Sequence, residues 1–349
     1  MKTKIKIALI SALLSLGAKA TVLTVNNMGG AQHGSLLSGF LAANNGDTLL
    51  VTGSLSSYSA NDGLASGWYK NLVVIGTGYN SPRQVFYPTI LSVATVYNGG
   101  NSLSISGNGS SKFYGITFSN EVNVSVNSAN IIFDGCVFEK NFTTLVNNTS
   151  FAANNSIFKN CIFKNTTLPS FDSWGCGNIF FTHCIFYGAL NAIILNSTFE
   201  HCVFLKDAGN LFGNLTNVIF NNCIFYGNAA LAFMSGCVFN NCSSLNNTTG
   251  WSTSGNTANN CLNATNPLFV GVAVGSTYSF SLNFNLQAGS PATGAATDGT
   301  DLGLFGGSSH FSNSGEPTAL PVVREMNIQN SSVPVNGNVN VKVRSTKAR

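Results

Sequence analysis

The residues best equipped for chemistry in this 349-residue chain are two histidines and a few scattered charges. His183 and His201 each stand one residue before a cysteine, Cys184 and Cys202. Imidazoles in that repeated setting can ligate a metal or shuttle protons. Gly135, Asn160, Asn222, Asn241 and Asn260 hold the same place before other cysteines, so a purely conformational role suits the position as well. Charged side chains also recur relative to the cysteines. Asp134, Lys159 and Glu200 lie two residues before one, Glu139 and Lys164 three after, Lys140 and Lys206 four after. No position carries carboxylates in two successive repeats, so a calcium site or a paired-acid site has no visible ladder of ligands. A solvated strand face accounts for these charges too. Cys176 and Cys237 fall outside the recurring position and are the better candidates for other thiol chemistry.

A second set of residues suits sugar recognition. Tyr187 and Tyr226 both lie three residues after a recurring cysteine, two repeats apart. Rings displayed at that spacing can stack on successive sugars of a chain. Trp174 sits in a long insert, Asn165 to Gly177, and a second insert runs from Asn141 to Ser150. Both are expected to bulge as loops. Exposed aromatics among many asparagine amides fit a neutral glycan. The alternative is that these rings pack the loops onto the body of the protein. Ile132, Ile157, Ile219 and Val238 form an outward apolar column, expected to be covered by loops or a partner.

The element that must position all of them is an internal repeat. Seven of nine cysteines form a series, Cys136, Cys161, Cys184, Cys202, Cys223, Cys242 and Cys261, with a mean spacing of about 21 residues. Disulfide frameworks and zinc sites are not spaced in this way, whereas a solenoid is. Phe133, Phe158, Phe181, Phe199, Phe220 and Phe239 lie three residues before each cysteine, and Phe138, Phe163, Phe186, Phe204 and Phe225 two after. Asn130, Asn155, Asn178, Asn196 and Asn217 lie six before. Strand side chains alternate, so both Phe columns face inward only if the chain bends between them. Gly, Asn and His tolerate positive φ, so the residue before each cysteine is expected to make that bend. Parallel rungs about 4.8 Å apart then stack Phe on Phe and Cys on Cys, with Asn as a possible amide ladder. Stacked β-carbons with parallel vectors suit disulfides poorly, so the thiols are expected to be reduced and buried.

These repeats, Asn-x-x-Phe-x-x-Cys-x-Phe, resemble the right-handed parallel β-helix proteins of the pectate-lyase-like superfamily, in their secreted bacterial form. The resemblance spans about residues 30 to 310. Ser35 to Leu41, followed by Asn45-Gly46-Asp47-Thr48 and Leu49-Leu50-Val51, resembles the N-terminal capping helix and first strand. Asn266-Pro267-Leu268-Phe269, Gly289-Ser290-Pro291-Ala292 and Asp301 to Gly307 resemble closing coils and are expected to cap the open end. The resemblance implies an all-β solenoid and a polysaccharide or cell-surface glycan as partner. Enzymes of that group are lyases, with calcium held by carboxylates and an Arg or Lys base, or hydrolases with clustered carboxylates. Here Lys140 and Lys164 are the candidate bases, and calcium is needed only if the lyase reading holds. With no carboxylate ladder, the reading favoured is non-catalytic glycan binding or adhesion, with Tyr187, Tyr226 and Trp174 as ligand contacts and no metal.

Composition bounds the rest. Lys2, Lys4 and Lys6, the apolar run Ile7 to Leu16 and Ala18-Lys19-Ala20 form an export signal over residues 1–20, so a secreted, cell-surface or periplasmic protein is expected. Without the four lysines of that segment the chain is neutral, so nothing holds it to nucleic acid or an anionic membrane. No other stretch is long and apolar enough to span a bilayer. The β-helix is assigned to residues 21–315. Residues 316–349 read as a linker at Glu316-Pro317 and Leu320-Pro321, then a hairpin over Val333 to Val343 turning at Asn336-Gly337.

Overall fold

The computed structural model describes residues 20–59, 68–80, 90–92, 95–97, 100–105, 110–124, 129–140, 142–144, 154–164, 171–246, 251, 255–315, 321–328 and 341–347. The proposed export signal and the Asn336-Gly337 turn therefore lie outside the described residues.

The chain winds as a parallel β-helix with three sheets of eleven, nine and eight strands. A representative coil starts with Phe180–Thr182 in the first sheet, crosses to Ile185–Phe186 in the second, and returns through Leu190–Leu195 in the third. Register is strict. Phe133 pairs with Phe158, Phe158 with Phe181, Phe181 with Phe199, and Phe199 with Phe220. The bend before each cysteine is the expected left-handed residue, with φ of 52° at Asn160 and His183, 51° at His201 and 56° at Asn222. The Asn column six residues before each cysteine is left-handed as well, with φ of 54° at Asn155 and 55° at Asn178. Those asparagines therefore turn the chain from the third sheet into the first. Among the described residues their amides make one long contact with each other, Asn217 Nδ2 to Asn196 Oδ1 at 3.5 Å. The amide ladder lies instead two residues before the cysteines, where Asn240 donates to Asn221 at 2.9 Å and Asn259 to Asn240 at 2.8 Å.

Two phenylalanine stacks and one cysteine stack fill the tube. Phe181 and Phe199 lie 4.5 Å apart between centroids at 6°, and Phe204 and Phe225 4.7 Å apart at 5°. Each such pair adds about 0.5–1.5 kcal/mol beyond its burial. No disulfide joins any of the nine cysteines. The stacked thiols donate to main-chain carbonyls, as Cys184 does to Phe158 at 3.3 Å. Cys176 and Cys237 are buried too, so neither offers a reactive thiol, and burial pushes the Cys237 thiol up. The tube is plugged at its start by the helix α1, Leu36–Ala42, which Ser35 and Ser38 cap reciprocally. Its Phe40 packs on Trp68 at 4.6 Å, and Trp68 on Phe113 at 5.6 Å. At the other end Trp251 covers Phe239 at 4.8 Å.

The closing motifs do not cap that end. After Thr265 the chain turns back and descends the flank of the helix as a strap, beginning with the antiparallel pair Phe269–Gly271 and Asn283–Leu286. Ala295 meets Asn241, Gly303 meets Asn222 and His201, Gly306 meets His183, and Ser314 reaches Tyr79. Leu302 and Leu304 bury against Val137, Ile162, Ile185, Val203 and Ile224 on the outer face of the second sheet. That column, one residue after each cysteine, is apolar because the strap gives the second sheet two buried faces.

Three further expectations change. The inserts at 141–150 and 165–177 are not simple bulges: Phe142–Thr144 and Phe171–Gly177 are strands of the third sheet. The outward column is partly open, with Ile157 36 % and Ile219 39 % exposed. The tail hairpin pairs Pro321–Ile328 with Val341–Lys347, so its first strand begins at the Pro321 that reads as linker.

Candidate functional site

Tyr187 and Tyr226 do sit in register at the edge of the second sheet, but the strap covers them. Tyr187 is 3 % exposed and packs edge-on against Tyr278 at 5.4 Å. Tyr226 is 5 % exposed, packs on Phe269 at 5.0 Å and donates its hydroxyl to Val272 O at 3.1 Å. Neither ring presents a face to a ligand, so the tyrosine platform gives way to a strap anchor. Trp174 lies on a strand of the third sheet, and its side chain is outside the described residues. Lys164 pairs with Glu139 at 3.0 Å and lies 5.3 Å from the Tyr278 ring centre, an arrangement that pins the strap. Lys140 is exposed.

What the fold brings together is a cleft of about 450 Å³ between the outer face of the first sheet and the strap. Its floor carries Ile157, Lys159, Phe180, Thr182 and Glu200, its edge His183, His201 and Asn222, and its far wall Thr297, Asp298, Ser308 and Ser309. Strand alternation explains the floor: positions four and two residues before each cysteine both point outward, giving an apolar stripe beside a polar one. Phe180 is 39 % exposed on that stripe. The polar stripe continues along the axis as the Asn221, Asn240 and Asn259 ladder.

One hydrogen-bond network ties floor to wall. Asn222 donates Nδ2 to Glu200 Oε1 at 2.7 Å and to Thr297 Oγ1 at 3.1 Å, and its Oδ1 accepts from Thr297 N at 2.9 Å. Burial raises the Glu200 carboxyl above its ordinary range, opposed by hydrogen bonds from Asn221 and Asn222. Asp298 is pulled the other way by hydrogen bonds from Thr300. The His183 and His201 rings stack at 5.2 Å and 13°. His183 Nε2 faces Gly306 O at 3.1 Å, so it carries the proton there, and Nδ1 accepts from Thr182 Oγ1 at 2.7 Å. His201 Nδ1 donates to Gly303 O at 3.1 Å, which leaves Nε2 near Asn222 Nδ2 at 3.4 Å and Glu200 Oε1 at 3.5 Å. The two histidines thus serve both the bend and the strap. Among the described residues no three His, Cys, Asp or Glu converge as metal ligands.

Sequence reasoning reached the charges and histidines one by one but not the cleft. The far wall comes from residues read as turns of an end cap, and only the return of the chain places them opposite Glu200.

No family model matches the chain, and no curated protein does. Among solved structures the chain is similar to a pectate lyase, Pel9A, at 14 % identity, covering 82 % of this chain and 96 % of that one with a TM-score of 0.42.

Proposed function

We propose that this protein is an exported β-helix that binds a neutral glycan along the outer face of its first sheet, against the strap. The observation that carries the reading is the cleft itself, where a half-open phenylalanine and isoleucine lie beside a polar stripe of Lys159, Thr182 and Glu200 that continues as the Asn221, Asn240 and Asn259 amides. Sugar rings offer apolar faces flanked by hydroxyls, and such a floor matches both. The stripe runs parallel to the helix axis, so the ligand is an extended chain rather than a single sugar. Export rests on the basic, apolar and small-residue pattern of residues 1–20.

The test is a panel of neutral and acidic polysaccharides, with binding measured for the parent and for Phe180→Ala with Asn240→Ala. Binding to a neutral glycan that falls tenfold or more in the double variant supports the reading. Binding to none, or binding untouched by the substitutions, overturns it.

A second reading, polysaccharide cleavage by a lyase or hydrolase, is favoured by one feature. Glu200 is a carboxyl raised by burial inside a cleft, as a proton donor requires. New reducing or unsaturated ends from a bound glycan, lost in Glu200→Gln while binding persists, would move the assignment to that reading.

A further inference from the structure

We propose that the strap is a pH-operated latch: acid protonates His183, stacked on His201, and releases residues 295–310 from the flank of the helix, removing one wall of the cleft. Each ring holds a strap carbonyl, His183 through Gly306 O and His201 through Gly303 O, both at 3.1 Å. The strap has no slack over them. A β-carbon on Gly306 would lie 2.5 Å from His201 Cε1, and one on Gly307 3.1 Å from His201 Nε2. The His201 ring lies hard against the strap backbone.

The closed strap gives a charge on His183 no carboxylate partner. A proton on His183 Nδ1 faces only the Thr182 hydroxyl, with the His201 ring stacked 5.2 Å away. The Glu200 carboxyl lies on the far side, 3.5 Å from His201 Nε2. The other groups felt by His183 are Lys159 on the preceding rung, which repels it, and the Cys202 sulfur. Glu200 is already engaged by Asn222 and His201, and Asp298 on the strap wall by Thr300. Burial, the largest cause, and the neighbouring His201 hold the His183 imidazole down to about 4.

The direction follows from that shift. An ordinary imidazole titrates near about 6.5, so the released strap binds a proton that the closed strap refuses. Opening is therefore favoured about tenfold per pH unit as pH falls from about 6.5 to about 4, and gains nothing further below. The release of the strap stands on the two rings buried and stacked beneath its carbonyls, and on that shift. Its consequence for ligand binding rests on the proposed glycan reading.

The chain supplies its own control. Asn160, Asn222 and Asn241 occupy the same bend column with φ of 52°, 56° and 49°, and Asn241 donates to a strap carbonyl, Ala295 O, at 2.8 Å. Asparagine can therefore replace either histidine without altering the bend. Hydrogen exchange of the full chain, corrected for intrinsic rates, should show protection of residues 295–310 falling about fortyfold between pH 6.5 and pH 4.5. In His183→Asn with His201→Asn that dependence should vanish while protection at pH 7 persists. Protection that is flat in the parent, or that falls equally in the double variant, overturns the latch. If the double variant does not fold, single His183→Asn carries the same expectation. The ¹⁵N shifts of the parent imidazoles give a separate readout, and a His183 ring titrating near pH 6.5 under a closed strap overturns the proposal. Glycan affinity measured in the same series separates the two claims, because absent binding at every pH counts against the glycan reading while exchange still decides the latch.

Discussion

Gly135 and Gly315 meet backbone to backbone, and a β-carbon built on Gly135 would run into the carbonyl of Gly315. Both sit at positive φ, 65° and 64°. One belongs to the bend column of the helix and the other ends the strap. The column thus does two jobs: it turns every coil, and its side chains select what the strap does at each rung. Glycines admit the strap's backbone, histidines and Asn241 grip its carbonyls, and Asn222 reaches into the cleft.

Gly135→Ala should therefore cost about 2–5 kcal/mol, from left-handed strain plus displacement of the strap. Gly209→Ala is the matched control, since Gly209 has φ of 72° but nothing within 4 Å of an added β-carbon. It should cost about 1 kcal/mol. Denaturant unfolding of both variants checks the difference, and equal costs would mean the strap contact is weak.

Tyr187→Ala and Tyr226→Ala should each destabilise the chain by about 3–5 kcal/mol and loosen the strap. Tyr226→Phe isolates the hydroxyl bond to Val272 O and should lose about 1 kcal/mol. Melting curves read these effects. A glycan affinity lost with no change in stability would restore the tyrosines as ligand contacts.

Thiol alkylation of the native protein should modify Cys261 alone, the one cysteine of nine that is not fully buried. All nine should react once the chain is unfolded under non-reducing conditions. Burial raises the Cys136 and Cys161 thiols, which keeps them from forming thiolate. Mass spectrometry counts the adducts, and missing thiols after unfolding would reveal disulfides.

Lys70→Met should unpin the helix that plugs the tube. Lys70 Nζ donates to Phe40 O at 2.6 Å, Ala43 O at 2.8 Å and Leu41 O at 3.0 Å, satisfying the end of α1. Methionine keeps the apolar stem and loses the bonds, for about 1.5–3 kcal/mol. Exchange at Leu36–Ala42 should quicken before any change in the coils.

The amino-acid order alone determined the tube. A coil repeats one environment about every 21 residues, so Phe, Cys and bend residues recur at fixed offsets and can be read without a structure. It also determined that the cysteines are not cross-linked, because stacking and bonding need different geometry. The fate of each outward residue was decided only by the tertiary structure. Outward positions in a coil look alike locally, and whether Tyr187 is a ligand platform or a buried anchor depends on where residues 265–315 go. That path is set by contacts between distant rungs, Gly315 on Gly135 and Gly306 on His183, which have no periodicity to reveal them. The cleft followed the same rule: its floor was legible as columns, while its far wall came into being when the chain doubled back.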